Sequence, residues 1–346
     1  MPKLGVAVVG VGMLGRRHAE NLRRQVADAQ LVAVCDASRQ RALEVAAELE
    51  LDSATDRLAE VLDRKDVQAV VIATPSKFHA DQTEAAARAG KHIFCEKPLA
   101  LTLAQADAAL AAVRAAGVQL QIGFMRRYDP GYAAAQQRIQ AGEIGDPVIF
   151  KSVGRDRQPP PVSFFEGGVN GTLFSDAAIH DFDLARWMMN DEVASVHAYA
   201  GVLACPELAG FDDVDAALVN LRFARGGIGN IEAFRKSNYG YDIRTEILGT
   251  QGAVQVGHLY HTPFQILTQT GITHDVVDHW LVRFAHAYLA EVRDFVRSVL
   301  AGARVRVTGE DGRRALAAAL AAEQSYRQAL PVAVAPGPKP AGLRTA

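Results

Sequence analysis

The chain has 346 residues, which favours two domains, and its hydrophobic share of 49% is ample for packed cores. A formal net charge of −2 provides no basic surface for nucleic acid or an anionic membrane, so neither is expected as a partner. The sequence has no run of about 18 or more apolar residues, so no membrane span is predicted.

The three cysteines, Cys35, Cys95 and Cys205, are odd in number and widely spaced. This usage is typical of reduced thiols and argues against a disulfide framework or a zinc site. The apolar run near the N-terminus is interrupted by four glycines and followed by Arg16 and Arg17, so it does not match a signal peptide. A cytoplasmic location is therefore predicted.

The first third of the chain alternates short apolar segments with segments of helical periodicity. The predicted strands cover residues 4–9, 31–36, 69–74, 92–96 and 118–124. The predicted helices cover residues 13–25, 40–50, 79–89 and 102–116. Strands joined by helices of this length indicate βαβ units and a buried parallel sheet, here assigned to a domain over residues 1–123.

A glycine motif, "GVGMLG", follows the first predicted strand and opens the first helix. Gly10 permits the tight turn, Gly12 lets a pyrophosphate approach the backbone, and Gly15 lets the helix pack closely on the strand. The helix N-terminus offers free N–H groups to phosphate. Together with Met13 and Leu14 inside the turn, these glycines are predicted to bind a dinucleotide.

Asp36 ends the second predicted strand, where an acidic residue can bind the adenosine ribose hydroxyls. Its carboxylate would repel a 2′-phosphate, which favours NAD over NADP. Arg39 follows three residues later and could reach such a phosphate, so NADP stays possible. As an alternative, Asp36 could cap the helix that begins near Ser38.

Lys97 lies in "FCEKPLA", at the predicted carboxyl end of a central strand, on the sheet edge where ligands bind. Pro98 restricts Lys97 to an extended conformation. Beside a nicotinamide, the ammonium could stabilise the alkoxide that develops as a hydroxyl loses its hydride. The alternative is a solvated loop charge. Further cofactor contacts are predicted on this edge at Thr74, Pro75, His79 and Glu96.

The second half of the chain has a different pattern, assigned to an α+β domain over residues 124–330. Predicted strands at residues 147–156, 193–203, 214–224, 227–236, 242–249 and 253–256 follow one another through short turns. They indicate a large, mostly antiparallel open sheet, one face of which must be covered by helices or another subunit. Helices are predicted at 284–302 and 309–328, and residues 331–346 are predicted to be a poorly packed tail.

Asp176 and His180, in "FSDAAIHDFDLARW", are spaced i, i+4 and would share one face of a helix. This makes His180 a candidate general base, with Asp176 orienting it or binding substrate. The alternative is a capping aspartate and a partly buried histidine. Asp181 and Asp183 are interpreted as structural, and no metal site is predicted because the spacing matches no strong metal motif.

These segments together resemble the Gfo/Idh/MocA oxidoreductase family over residues 4–330. The likeness lies in "GVGMLGRRHAENL", "AGKHIFCEKPLA", "GFMRRYDP", "GRDRQPPP" and "SDAAIHDFDLARW". Within the family it is nearest to inositol 2-dehydrogenases. The resemblance implies a Rossmann domain followed by an open-sheet domain, homotetramers formed through that sheet, and NAD-dependent oxidation of a ring hydroxyl.

The resemblance also implies roles for individual residues. Lys97, Asp176 and His180 match the family's catalytic trio, and Asp156 matches a position that contacts substrate hydroxyls. Tyr239 is expected to reach the substrate from a later strand, and Arg127 to lie near the nicotinamide. Ala177 and Ala178 replace the hydroxyl residues of many inositol-type relatives, which implies a changed pocket.

The predicted function is NAD-dependent oxidation of a cyclic polyol, myo-inositol or an isomer, to a ketone. Three alternatives stay open at this point. The first is a pyranose dehydrogenase of the same family, and the second is a sugar-sensing regulator that binds nucleotide without turnover. The third is a glycosidase that uses tightly held NAD transiently.

Overall fold

The structure, a computed structural model, describes residues 3–258 and 260–337. Its first sheet has six parallel strands in the order β3-β2-β1-β4-β5-β6. The strand order reverses between β1 and β4, which opens a crevice at the carboxyl ends of the strands. The elements of this half are β1 (Leu4–Val9), α1 (Met13–Arg24), β2 (Ala29–Cys35), α2 (Arg39–Glu48), β3 (Ala54–Thr55), α3 (Leu58–Leu62), β4 (Ala69–Ile72), α4 (His79–Arg88), β5 (His92–Glu96), α5 (Leu103–Ala116) and β6 (Leu120–Gly123).

The second sheet has seven strands in the order β12-β11-β7-β10-β9-β8-β15. All neighbouring strands are antiparallel except β7 and β10. The fold class predicted from the sequence is therefore confirmed. The elements of this half are α6 (Pro130–Gln140), β7 (Pro147–Arg155), α7 (Ile179–Met189), β8 (Val193–Gly201), β9 (Ala216–Phe223), β10 (Ile228–Phe234), β11 (Asp242–Gly249), β12 (Ala253–Val256), β13 (Ile266–Thr268), β14 (Gly271–Thr273), α8 (Trp280–Arg283), α9 (Ala285–Leu300), α10 (Gly309–Gln328) and β15 (Val332–Ala333).

One face of the second sheet is covered by α7 and α10, and the other is open. Along β9 buried and exposed residues alternate, as expected for a sheet with one covered face. Tyr199 on β8 is 64% exposed and lies directly opposite Leu218 on β9, which is 49% exposed. With Ile228 on β10, these residues define what we call the exposed sheet face.

Helix α9 returns to the first domain, although the predicted boundary assigns it to the second. Its Val292, Phe295 and Val296 belong to the same buried cluster as Leu4 and Val6 of β1. The segment after α9 also joins the first sheet, where the Ile122 N–H donates to the carbonyl of Val307 at 3.0 Å. The first domain therefore includes residues far from it in sequence.

The C-terminal segment is partly ordered. Residues 332–333 pair with β8, and Arg313 donates to the carbonyl of Pro336 at 3.0 Å. The predicted poorly packed tail begins at residue 331; its first part pairs with the sheet but stays exposed or half-buried, and residues 338–346 lie outside the described part. Cys35, Cys95 and Cys205 are buried free thiols. Among the described residues, we find no helix that is both long enough and apolar enough to cross a membrane.

Candidate active site

The glycine turn between β1 and α1 has the shape that a dinucleotide requires. Gly10 has φ +84°, and a Cβ there would lie 2.7 Å from the backbone of Ala73 and Thr74. A Cβ on Gly15 would overlap the carbonyl oxygen of Gly10. A Cβ on Gly12, by contrast, would meet no atom within 4 Å, and no side chain caps this helix start. The open space and free N–H groups fit a pyrophosphate.

Asp36 lies beside this turn, at the end of β2. Its Oδ2 accepts the Val11 N–H at 2.9 Å, so the carboxylate helps to shape the glycine turn. Its Oδ1 accepts the Ser38 N–H at 2.9 Å and Arg41 at 3.1 Å, which also supports the start of α2. Arg41 is therefore the basic residue that pairs with Asp36, while Arg39 lies 3.8 Å from Asp56.

The ends of β4 and β5 are tied together by His79, one of the predicted cofactor contacts. Its ring nitrogens lie 2.7 Å from the carbonyl oxygens of Thr74 and Pro98. The ring is buried, and burial lowers its pKa. The Thr74 hydroxyl donates to Gln82, and Pro75 begins the next turn. The Lys97–Pro98 peptide bond is cis.

A cavity of about 770 Å³ lies between the two sheets. It joins the glycine turn, through Met13 and Leu14, to Lys97 and His180, which come from different domains. The two nitrogens that the sequence predicts to act on one carbinol thus line one cavity. The remaining lining residues are Met125, Arg126, Gly154, Asp156, Arg157, Gln158, Pro159, Pro160, Pro161, Phe164, Asp176, Ala177, Tyr241, Ile243, Asp278, His279, Trp280 and Tyr288.

Lys97 and Asp176 form an ion pair on the cavity wall. The Lys97 ammonium donates to Asp176 Oδ1 at 2.9 Å and to the Asp176 carbonyl at 2.8 Å. Burial alone would raise the pKa of Asp176, but Lys97 and Arg235 outweigh it and the pKa is lowered. Asp176 therefore stays ionised and positions Lys97.

His180 is not held by Asp176, which corrects one of the two roles predicted for that aspartate. Residues Leu173–Ala177 form a π-helical turn before α7, and the Asp176 carboxylate is directed to Lys97 and Arg235. The His180 Nδ1 is buried without a hydrogen-bond partner among the described residues. Burial, Lys97 and Arg126 all lower the pKa of His180 well below its ordinary value, so the imidazole is neutral at pH 7 and can accept a proton.

Asp156 follows β7 and lies on the same cavity wall. Burial raises its pKa to about 6, although Arg235, Lys97 and Arg126 favour the ionised form. Its backbone is fixed at both ends, because its N–H donates to Phe234 at 2.8 Å and its carbonyl accepts from Ser237 at 2.7 Å. The carboxylate is thus available for ring hydroxyls.

Tyr239, predicted to contact the substrate, and Arg127, predicted to lie near the nicotinamide, do not line the cavity, and a residue close to each in the sequence lines it instead. Tyr239 is 45% exposed and donates to Asp242 at 2.6 Å, whereas Tyr241 lines the cavity. Arg127 forms a buried pair with Asp183 at 2.6 and 2.8 Å, whereas Arg126 lines the cavity. The sequence segments "YGYD" and "MRRYD" contain no signal that distinguishes Tyr239 from Tyr241 or Arg126 from Arg127.

Asp181 and Asp183 have structural roles, as interpreted from the sequence. Asp181 accepts from Arg126 at 2.6 Å and thereby orients it toward the cavity. Asp183 neutralises Arg127, whose guanidinium also lies over Trp187. Burial of such charges is tolerated because each has a partner.

Glu96 does not line the cavity but belongs to a buried cluster with His18 and Glu291. The His18 Nε2 lies 2.6 Å from Glu96 Oε1, closer than the ~3 Å expected between two ligands of one octahedral ion. Burial and the Glu96 charge raise the pKa of Glu291 well above its ordinary value, which favours a protonated acid. Within the cluster only His18 and Glu96 are hydrogen-bonded, since both carboxyl oxygens of Glu291 are buried without a partner among the described residues.

Comparison with known proteins matches two family models in order along the chain. Residues 4–124 match the Gfo/Idh/MocA oxidoreductase family model with its NAD-binding Rossmann fold. Residues 132–255 match the Gfo/Idh/MocA C-terminal domain. The cofactor predicted from the glycine turn and Asp36 is thus confirmed as NAD.

Similar proteins act on inositols. The chain is 41% identical to scyllo-inositol 2-dehydrogenase (NAD(+)) of Bacillus subtilis, over 94% of this chain and 95% of the relative. It is 35% identical to myo-inositol 2-dehydrogenase of Thermotoga maritima, over 93% and 96%. The crystal structure of Lactobacillus casei scyllo-inositol dehydrogenase with NAD(H) and scyllo-inositol has a TM-score of 0.91 and 30% identity, over 96% and 100%. On these matches, the chain belongs to the Gfo/Idh/MocA family and is an NAD-dependent oxidoreductase that acts on CH–OH groups.

Proposed function

We propose that the protein oxidises one ring hydroxyl of an inositol to a ketone. The observation that supports this most directly is the single cavity that joins the glycine turn to Lys97 and His180. Two relatives that match over more than 90% of the chain are named for scyllo- and myo-inositol.

The chemistry follows from the charges on the cavity wall. Bound NAD supplies the acceptor for the carbon-bound hydride. Lys97 uses two of its three N–H groups on Asp176, so the third is free to donate to the hydroxyl that is oxidised. His180, neutral because burial lowers its pKa, accepts the hydroxyl proton as the carbonyl forms. The ammonium of Lys97 stabilises the oxygen while negative charge develops on it.

The remaining polar groups of the cavity suit a ring with several hydroxyls. Asp156 offers carboxylate oxygens, and Tyr241 and Arg126 offer O–H and N–H donors. Trp280 and Met125 provide apolar surface for the faces of the ring. We propose that Asp156 and Tyr241 hold the ring hydroxyls that do not react.

The decisive experiment is a substrate panel with NAD⁺ in excess, followed by NADH absorbance. The panel contains scyllo-inositol, myo-inositol, D-chiro-inositol, glucose, galactose and xylose, each also assayed with NADP⁺. We expect kcat/KM for at least one inositol to exceed that of every sugar. A sugar preferred over all inositols would assign the protein to pyranose oxidation instead, and NADH that never exceeds one equivalent of enzyme would contradict a dehydrogenase.

We also propose that a second copy of the chain covers the exposed sheet face, within a cytoplasmic homotetramer. The proposal is supported by Tyr199, Leu218 and Ile228, which place apolar side chains on neighbouring strands. Light scattering after gel filtration should give four chains, and Leu218→Lys should reduce that number. A monomer in the unsubstituted protein would contradict the proposed homotetramer. Recovery of the protein outside the cytoplasmic fraction would contradict the proposed location.

A further inference from the structure

Arg235 is fully buried beside the active site, yet it does not line the cavity. It directly follows β10, and its N–H donates to the carbonyl of Asp215 at 2.9 Å. Its side chain is 0% exposed because two aromatic rings cover it. Its Cζ lies 5.9 Å from the centre of the Phe164 ring and 5.3 Å from that of Phe165.

The guanidinium of Arg235 lies between two carboxylates. Its Nη1 is 3.5 Å from Asp176 Oδ2, and its Nη2 is 3.3 Å from Asp213 Oδ2. Since Lys97 occupies the other oxygen of Asp176, the four side chains form a row of alternating charge, Lys97–Asp176–Arg235–Asp213. The row has no net charge, which makes its burial tolerable.

The two neighbours depend on Arg235 to different degrees. Asp213 Oδ1 already accepts the N–H groups of Leu173 at 2.7 Å and Val214 at 2.8 Å. Asp176 has only Lys97 and Arg235 as side-chain partners among the described residues. Loss of Arg235 would therefore free Oδ2 of Asp176, and the carboxylate could turn away from the orientation that directs Lys97.

We propose that Arg235 is a positioning residue for the reaction, which holds the Asp176 carboxylate so that Lys97 keeps one N–H for the substrate. This inference rests on the proposed function of Lys97. The aromatic cover from Phe164 and Phe165 excludes water and strengthens the pair, and Phe164 also lines the cavity.

A purely structural reading is that Arg235 only neutralises Asp213. A set of four variants separates the two readings: Arg235→Met, Arg235→Lys, Asp213→Asn, and the double variant with Arg235→Met and Asp213→Asn. The double variant removes the charges of Arg235 and Asp213, so no carboxylate is left unpaired at position 213. Asp176 then has Lys97 as its one remaining cationic partner among the described residues. We expect Arg235→Met and the double variant both to lower kcat/KM about 100-fold, as a misplaced catalytic group does.

The conservative and control variants complete the kinetic test. Arg235→Lys should recover about 10-fold of that loss, because the lysine ammonium restores a positive charge beside the two buried carboxylates. Asp213→Asn alone should lower kcat/KM less than Arg235→Met does, because Arg235 stays beside Asp176 and the asparagine oxygen can still accept the Leu173 and Val214 N–H groups. A double variant with normal kcat/KM would overturn the proposal, since Arg235 would then serve only Asp213.

The second readout is the pH dependence, which reports the positive charge that Arg235 places beside Asp156 and Asp176. Asp156 faces Arg235, Asp176, Lys97 and Arg126, and Asp176 faces Lys97, Arg235, Asp156 and Asp213. Removing one cation from this group disfavours both carboxylates, so their pKa values rise and the acid limb of kcat/KM moves to higher pH. An unmoved limb in Arg235→Met would count against the proposal.

A third readout needs no turnover and separates failure of this inference from failure of the proposed function. Carbon-13 NMR of carboxyl-labelled aspartate gives the pKa of Asp156 directly, with Asp156→Asn used for assignment. We expect the pKa of Asp156 to be higher in the double variant with Arg235→Met and Asp213→Asn than in the unsubstituted protein. The melting temperature of the double variant should stay close to that of the unsubstituted protein, because Asp213→Asn removes the carboxylate that Arg235→Met leaves unpaired. If the enzyme oxidised no polyol, this titration would still test Arg235, and an unchanged pKa would overturn the inference alone.

Discussion

Lys97 and Asp176 are 79 positions apart in the sequence, yet the ammonium of one contacts both the carboxylate and the carbonyl of the other. Lys97 follows a strand of the first sheet, and Asp176 lies in the π-helical turn before α7. The active site is thus assembled across the domain boundary. Any change that separates the two domains would also separate His180 from Lys97, the two residues proposed to act on one hydroxyl.

Replacing Lys97 with alanine should lower kcat about 1,000-fold, because the donor to the developing alkoxide is lost. Binding of NAD, measured by fluorescence, should stay close to normal, since the glycine turn is unchanged. Lys65→Ala is the matched control, because Lys65 is an exposed lysine in the turn before β4. A Lys97→Ala enzyme within about tenfold of normal would contradict the role assigned to Lys97.

The pH profile of kcat/KM should show an acid limb at pH about 6, the pKa of Asp156. Activity falls as pH decreases through this value, since protonated Asp156 loses its negative charge and accepts hydrogen bonds from ring hydroxyls more weakly. His180 protonates only at lower pH because its pKa is lowered, so it adds a second loss there. Asp156→Asn should remove the loss of activity near pH 6 and leave the loss at lower pH that comes from His180. If activity already fell steeply as the pH decreased from mildly alkaline to neutral, His180 would be protonated near neutral pH and would not be held neutral.

Two glycines of the same turn should respond in opposite ways to substitution by alanine. Gly12→Ala should fold normally, because a Cβ there meets no protein atom, but its KM for NAD should rise about tenfold or more as the methyl group blocks the pyrophosphate. Gly15→Ala should instead lower the melting temperature, because its Cβ overlaps Gly10. Thermal melts and NAD titrations of both variants distinguish the two effects. Equal melting temperatures would argue against the packing role of Gly15.

Asp36 should determine the preference for NAD over NADP. In Asp36→Ala the repulsion of a 2′-phosphate is lost while Arg41 remains nearby. The ratio of kcat/KM for NADP⁺ to that for NAD⁺ should rise about 10- to 100-fold, or about 1.4–2.8 kcal/mol. Activity with NAD⁺ itself should fall, because the Val11 N–H loses its acceptor. Arg39→Ala serves as the control and should leave the ratio unchanged.

Tyr241, and not Tyr239, should affect the substrate. Tyr241→Phe should lower kcat/KM for the polyol about tenfold, the value of one hydrogen bond to a substrate hydroxyl. Tyr239→Phe should leave kcat/KM unchanged, because its hydroxyl is used on Asp242 outside the cavity. Kinetics of the two single variants under identical conditions provide the test. The reverse result would return the substrate contact to Tyr239.

The sequence predicts much of the first sheet because its signals are local. Strands Leu4–Val9 and His92–Glu96 have the predicted limits, since each apolar run is bounded by glycine or proline. The two-residue strand Ala54–Thr55 and the helix Leu58–Leu62 are missed because they are too short for a periodic pattern. In the second sheet, alternation predicts Asp242–Gly249 and Ala253–Val256 within their observed limits.

The site is less predictable, because it depends on which side of the backbone faces the cavity. Lys97, Asp156 and His180 are found from motifs and do line the cavity. The choice between Arg126 and Arg127 requires knowing that Asp183 lies beside the second guanidinium. Arg235 leaves no signal in the sequence, since its two carboxylate partners come from separate segments of the chain.

The return of α9 to the first domain has a consequence for how the molecule unfolds. Val292, Phe295 and Val296 cover apolar side chains of β1, so a fragment that stopped at residue 123 would lack part of its interior. The first domain is therefore not an independent folding unit, because its interior requires α9. We therefore expect the two domains to unfold in one cooperative transition. NAD binding to the first domain would then raise the melting temperature of the second domain as well.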